Sequence, residues 1–193
     1  MIRQIEPAMV AYLDGKLAAN GLAQDAVARK DARLLFRLAL EACVGIREKT
    51  GNNDGTMVEL IQETLGGADG ESWCMSFIQT GLAYAEAKTG VRSPIHGSEH
   101  CMTVWNETTI SQRVAASPLP GAIVIWRKGT TSSGHTGALV TAPSAGWFRA
   151  VEGNTEGGVR GGAVVREGGG VYLTERSTRG TGNMKIVGYL KPF

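Results

Sequence analysis

Glu71-Ser72-Trp73-Cys74-Met75-Ser76-Phe77 is the stretch from which the rest of the chain is read. Gly66, Gly67 and Gly70 interrupt whatever precedes it, and Ser72 has the short oxygen-bearing side chain that caps helix starts. From Cys74 onward, apolar or small residues recur at Phe77, Ile78, Gly81, Leu82 and Ala85, the spacing of a helix with one face turned to a core. Lys88 and Gly90 supply the stop, a cation in the last turn and then a residue free to turn left-handed. With Ser72 as N-cap, Cys74 is the second helical residue. Its sulfur then lies among backbone N–H groups that no helical carbonyl satisfies, at the positive end of the helix dipole, where a thiolate is stabilised. On this stretch alone, a nucleophile and a small buried apolar residue are equally good readings of Cys74.

Upstream, the sequence from Ala8 to Ala28 is rich in Ala and Leu and reads as one or two short helices interrupted near Asn20-Gly21. A firmer helix follows, capped by Asp31, with Leu35, Leu38, Ala39, Ala42 and Ile46 on its apolar face and Arg47, Lys49 and Gly51 closing it. Cys43 falls on that face and is read as core. Gly51-Asn52-Asn53-Asp54-Gly55 is read as a solvated turn, because it lacks the alternating ligands and the downstream glutamate of a calcium loop. Thr56-Met57-Val58-Glu59 then matches a capping box, opening a short helix that ends at Gly66-Gly67.

Downstream, His96-Gly97-Ser98-Glu99-His100 has the spacing of an inverted zinc-peptidase motif. That chemistry needs both histidines on one helical face, whereas Pro94 and Gly97 disfavour a helix through His96 and Ser98 reads as the cap of a later segment carrying Met102 and Trp105. These histidines are therefore read as surface residues beside a helix start, and no metal site is expected. From Pro118 the pattern becomes β. Ala122–Trp126 is a continuous apolar run typical of a strand buried on both faces. Thr136–Ala142, Trp147–Glu152, Ala163–Arg166, Val171–Thr174 and Lys185–Leu190 are further strands, and the glycines from Gly157 to Gly170 read as hairpin turns. Helices followed by antiparallel strands make an α+β domain.

At 193 residues the chain suits one domain. With 42% hydrophobic and 20% charged residues it is neither disordered nor membrane-inserted, and no apolar run is long enough to span a bilayer. A net charge of +2 gives no footprint for nucleic acid, although it mildly favours an anionic envelope polymer. Three cysteines without metal-type spacing argue for reduced thiols. The first residues lack the basic start and apolar block of a secretory signal, so synthesis in the cytoplasm is expected, with something else carrying the protein to its place of action.

A cysteine nucleophile needs a base, and the base needs a group to orient it. His135, in Ser133-Gly134-His135-Thr136-Gly137, stands at a strand entrance flanked by glycines that leave room for a substrate. If the next hairpin centres on Ser144-Ala145, Ala142 faces Trp147 and His135 faces Asn154, with Glu152 one diagonal away on the same face. Both Glu152 and Asn154 are then candidates to orient the imidazole. A slip of one residue would swap the faces.

Trp73-Cys74-Met75-Ser76-Phe77, Pro120-Gly121-Ala122-Ile123-Val124, Gly134-His135-Thr136-Gly137, Glu152-Gly153-Asn154-Thr155 and Gly188-Tyr189-Leu190-Lys191-Pro192 occur in this order. The succession resembles the CHAP and NlpC/P60 group of papain-like cysteine peptidoglycan hydrolases, over about residues 35 to 193. The resemblance implies a papain-like core of residues 31–193, with the cysteine helix packed on an antiparallel sheet. Residues 1–30 would be an N-terminal helical extension. It implies Cys74 as nucleophile, His135 as base, and Glu152 or Asn154 as third member. Ser72 and Trp73 would flank the substrate or oxyanion. No metal or organic cofactor is implied. The expected activity is cleavage of amide bonds in the peptide part of bacterial peptidoglycan by a monomer acting at the cell wall or periplasm, as in a phage endolysin. An injected antibacterial amidase effector fits the same residues. So does a non-catalytic wall-binding module of a phage structural component, although a pure binder has no need of a nucleophile.

Overall fold

Among the described residues, six α-helices precede a six-stranded antiparallel sheet. The computed structural model describes residues 3–114, 116–157, 163–164 and 167–193. The helices are α1 (Pro7–Leu17), α2 (Gly21–Ala28), α3 (Ala32–Ala42), α4 (Thr56–Gln62), α5 (Cys74–Thr89) and α6 (Cys101–Glu107). The strands are β1 (Arg113–Val114), β2 (Ile123–Lys128), β3 (Gly134–Leu139), β4 (Trp147–Thr155), β5 (Gly170–Ser177) and β6 (Met184–Leu190), in the order β1-β6-β2-β3-β4-β5. The α+β class expected from the pattern is what the chain adopts. In the expected strand Ala163–Arg166, Val165 and Arg166 lie outside the described residues, as does 158–162 of the glycine passage, and Ala163 and Val164 are in no strand.

The local signals work as their chemistry requires, with shifts of a residue. Asn20 and Asp31 cap α2 and α3, accepting from the N–H of Ala23 and Leu34. The capping box at Thr56 is displaced: Gly55 is the N-cap, and Glu59 reaches back to accept its N–H. α3 ends earlier than expected, at Ala42, with Cys43 as C-cap and Arg47 drawn away into a bridge with Gly170. α6 is capped by His100 rather than Ser98, whose hydroxyl instead accepts from the His100 N–H.

α5 is the organising element, and its one-sided face was too narrow an expectation. Every residue from Cys74 to Glu86 is buried. Gly81 lets it approach α3, since a Cβ there would stand 2.6 Å from a methyl carbon of Leu40. On the sheet side Gly153 of β4 does the same, a Cβ meeting the Phe77 ring at 2.8 Å. Where described, the N-terminal helices α1 and α2 pack into the body of the domain. Met9, Leu13, Leu17, Ala23 and Ala26 share one core with α3, α5 and the sheet residues Ile123, Ile125, Ala138 and Val151. The opposite face of the sheet buries Val124, Trp126, Leu139, Phe148 and Tyr189, which is why β2 reads as uninterrupted apolar sequence.

Candidate active site

The start of α5 is built by side chains from distant parts of the chain. Trp73, with φ −113° and ψ 14°, is the N-cap, so Cys74 is the first helical residue rather than the second. Ser72 does not cap the helix; its hydroxyl donates to the Glu167 carboxylate at 3.0 Å. Trp73 is fully buried, its indole N–H donating to Glu48 at 2.9 Å, and its ring is turned away from solvent. Its backbone N–H is held by Asn154 Oδ1 at 3.2 Å.

Asn154 marks where the register argument needs correction. The ladder pairs Ala138 with Val151 and Leu139 with Ala150, which is the register expected from the hairpin count. Beyond Glu152, however, β4 shifts by one residue against β5 before Thr155, and Asn154 adopts φ +54°. Asparagine tolerates this left-handed conformation better than most residues. The bulge turns Asn154 away from the imidazole: its amide donates to Glu48, Asn53 and the Gly168 carbonyl. The Gly51–Gly55 turn is consequently more than a solvated loop. Asn53 accepts from Asn154 at 2.8 Å and donates to the Gly70 carbonyl at 3.1 Å, tying the turn to the cysteine loop.

Asn154 thus positions the start of α5. Asn154→Gly should keep the bulge and lose the side-chain bonds to Trp73, Glu48, Asn53 and Gly168, destabilising the fold by about 1–3 kcal/mol; Asn154→Ala should add about 1–2 kcal/mol of left-handed strain. Thermal melts of both variants check this order.

Glu152, which stays on the sheet face of His135, takes the orienting role. His135 Nε2 lies 3.0 Å from Glu152 Oε2, and both residues are completely buried. Gly137 gives the carboxylate its place, for a Cβ there would meet Glu152 Cγ at 2.6 Å. Gly137, two residues past the histidine, therefore makes room for the carboxylate. On the other side Arg176 grips Glu152 with two bonds, Nε to Oε1 at 2.8 Å and Nη2 to Oε2 at 2.7 Å, and Thr174 adds a hydroxyl donor. Burial alone would raise the Glu152 carboxyl, but hydrogen bonds from Arg176 and His135, with their charges, hold it down at about 2. Burial likewise pushes the His135 imidazole down, and hydrogen bonding and charge from Cys74 and Glu152 outweigh it, raising the ring to about 9. Nε2 is engaged by Glu152, while the buried Nδ1 has no nitrogen or oxygen partner among the described residues, and Cys74 is the other group whose hydrogen bonding and charge raise the ring. Trp126 lies beside the ring, centroids 5.7 Å apart.

Cys74 opens onto a cleft of about 390 Å³ lined by Glu71, Ser72, Glu99, Cys101 and Gly134 among others. The small positive net charge gives no sign of the local field, which two carboxylates make negative. Burial, and then the charge of Glu71, raise the Glu99 carboxyl above its ordinary value. His100 reaches the cleft, but among the described residues no group of three His, Cys, Asp or Glu side chains is arranged to hold a metal.

Sequence reasoning missed Arg176, Thr174 and Cys101. The expected strand stopped at Thr174; continuing its alternation two residues would have put Arg176 on the face of Thr174. Nothing in the sequence signals that Cys101 stands beside Cys74. Comparison of the chain with protein-family models, curated proteins and solved structures returned no match.

Proposed function

We propose that the protein is a cysteine amidohydrolase of papain-like design that cleaves amide bonds in the peptide part of bacterial peptidoglycan. The observation that carries this reading is a buried imidazole coupled on one side to a cleft-lining thiol and hydrogen-bonded on the other to a carboxylate held ionised by arginine. Such a set has the parts that acyl transfer needs and that peptide binding alone does not.

In this mechanism His135 takes the Cys74 proton and the thiolate attacks the substrate carbonyl carbon. The Cys74 N–H, at the first position of α5, meets the developing oxyanion; Trp73 N–H is held by Asn154, and the Ser72 hydroxyl by Glu167. The imidazolium protonates the departing amine as the C–N bond breaks. Water, deprotonated by the same imidazole, then hydrolyses the thioester and returns Cys74. Glu152 keeps the ring oriented throughout and stabilises its positive charge. Glu71 and Glu99 favour a peptide that presents an ammonium group near the scissile amide over one that presents a carboxylate.

Purified sacculi incubated with the protein provide the test. Mass spectrometry should find fragments with new amino and carboxyl termini in the peptides and intact glycan linkages, and alkylation by iodoacetamide should stop their release. The reading fails if nothing is released, or if release survives complete alkylation of Cys74.

A further inference from the structure

Cys74 has a second thiol beside it that the amidase chemistry does not use. Cys101 Sγ lies 3.7 Å from Cys74 Sγ. The two residues are the first of α5 and α6, twenty-seven apart in sequence, and both line the cleft, so a small reagent can reach the pair. Gly134, next to the histidine, makes the space that Cys101 occupies: a Cβ there would stand 3.0 Å from Cys101 Cβ and 2.5 Å from the Trp126 carbonyl oxygen. Cys43 is elsewhere, in the helical core, its thiol donating to the Ala39 carbonyl.

We propose that Cys74 and Cys101 form a reversible disulfide that turns the nucleophile off, a regulation that rests on the reading of Cys74 as the reacting sulfur. A disulfide has its sulfurs about 2.0 Å apart, so the pair must close by about 1.7 Å. The short helix α6, which Cys101 begins, is the side that supplies most of that movement. It follows residues 90–100, which contain no helix or strand, whereas Cys74 begins the most deeply packed helix.

A small disulfide is the oxidant. The Cys74 thiolate attacks one of its sulfurs, forming a mixed disulfide and expelling one thiolate, which takes a proton from His135. The neutral imidazole then accepts the Cys101 proton, and the Cys101 sulfur attacks Cys74 Sγ, expelling the second thiolate, which takes that proton from the imidazolium and leaves as the thiol. Two electrons pass from the protein sulfurs to the reagent, and one small disulfide becomes two thiols. A dithiol reverses each step. While the bond exists Cys74 has no lone thiolate to attack a carbonyl, and it is also shielded from irreversible oxidation to the sulfinic and sulfonic acids. Activity then follows the thiol–disulfide poise of the surroundings.

The test treats the full chain with excess oxidised glutathione. Intact mass should fall by two hydrogens with no glutathione attached, proteolysis under non-reducing conditions should yield a Cys74–Cys101 linked peptide, and Cys43 should remain alkylatable after denaturation. Release of fragments from sacculi should be lost in proportion to the linked fraction and regained on addition of dithiothreitol. Cys101→Ala should instead retain glutathione on Cys74 as a stable mixed disulfide. Glutathione left on Cys74 of the unaltered chain, or a link that involves Cys43, overturns the proposal. A protein that forms the Cys74–Cys101 link but releases nothing from sacculi when reduced upholds the disulfide and overturns the amidase reading, so the two failures are told apart.

Discussion

Cys74→Ala is expected to lower the release of peptide fragments from sacculi by about 10⁶-fold, because it removes the sulfur that forms the thioester and leaves only what binding and the oxyanion N–H contribute. The substitution removes one buried sulfur from a site that borders the cleft, so the melting temperature should move by only a few degrees. Cys43→Ala gives the contrast. Burial pushes the Cys43 thiol up to about 12, so it carries essentially no thiolate at neutral pH, and its replacement should leave fragment release unaltered. Iodoacetamide should accordingly label Cys74 of the reduced, folded protein long before Cys43. Retention of more than a few per cent of the rate in Cys74→Ala, in a sample free of unaltered protein, would remove the nucleophile from the mechanism.

The parts of this site that were legible in the sequence are those that local rules determine. Glycines end the segment before Cys74, Gly90 turns left-handed to end α5, and equal steps outward from a hairpin centre give the β3–β4 register. That count succeeded although the tight turn is centred one residue later, with Ala145 and Gly146 at positive φ and Ser144 bridged to Trp147. The two residues by which turn and ladder differ are absorbed between Leu139 and Ser144. The parts that stayed hidden depend on irregularity or on long range. A bulge has no periodicity of its own, so Asn154 looked like a second partner for His135 when it braces Trp73. The hold of Arg176 on Glu152 and the approach of Cys101 to Cys74 join residues 24 and 27 positions apart through the packing of whole elements, which no local pattern encodes.

Glu152→Gln should be the most damaging change outside the nucleophile, for two separable reasons. The first is kinetic. A glutamine amide that donates to Nε2 fixes the neutral ring with its proton on Nδ1, the nitrogen that must accept from the thiol, and a wrong tautomer of this kind costs roughly 10⁴-fold in rate. The second is energetic, because Arg176 is then a buried guanidinium facing a neutral amide. Breaking one side of such a pair costs about 3–5 kcal/mol, on the order of 10 °C in melting temperature for a chain of this size. Arg176→Met strands the carboxylate instead and should cost a similar amount, while the double variant Glu152→Gln/Arg176→Met should cost well under the sum, since neither charge is left alone. Strictly additive losses would mean that the two side chains do not depend on each other. The pH dependence gives the sign of each contribution. Glu152, held at about 2 against 4.5 in the unfolded chain, adds stability that is complete above 4.5 and is lost as pH falls toward 2. His135, raised to about 9 from 6.5, adds stability that is complete below 6.5 and is lost as pH rises through 9. Removing the carboxylate takes away one of the groups that raise the imidazole, so in Glu152→Gln the acid-side loss should shrink and the alkaline loss should begin at lower pH. Melting temperatures measured from pH 2 to pH 10 would show both limbs move, and an alkaline limb unmoved by the substitution would mean that Glu152 does not hold the proton on His135.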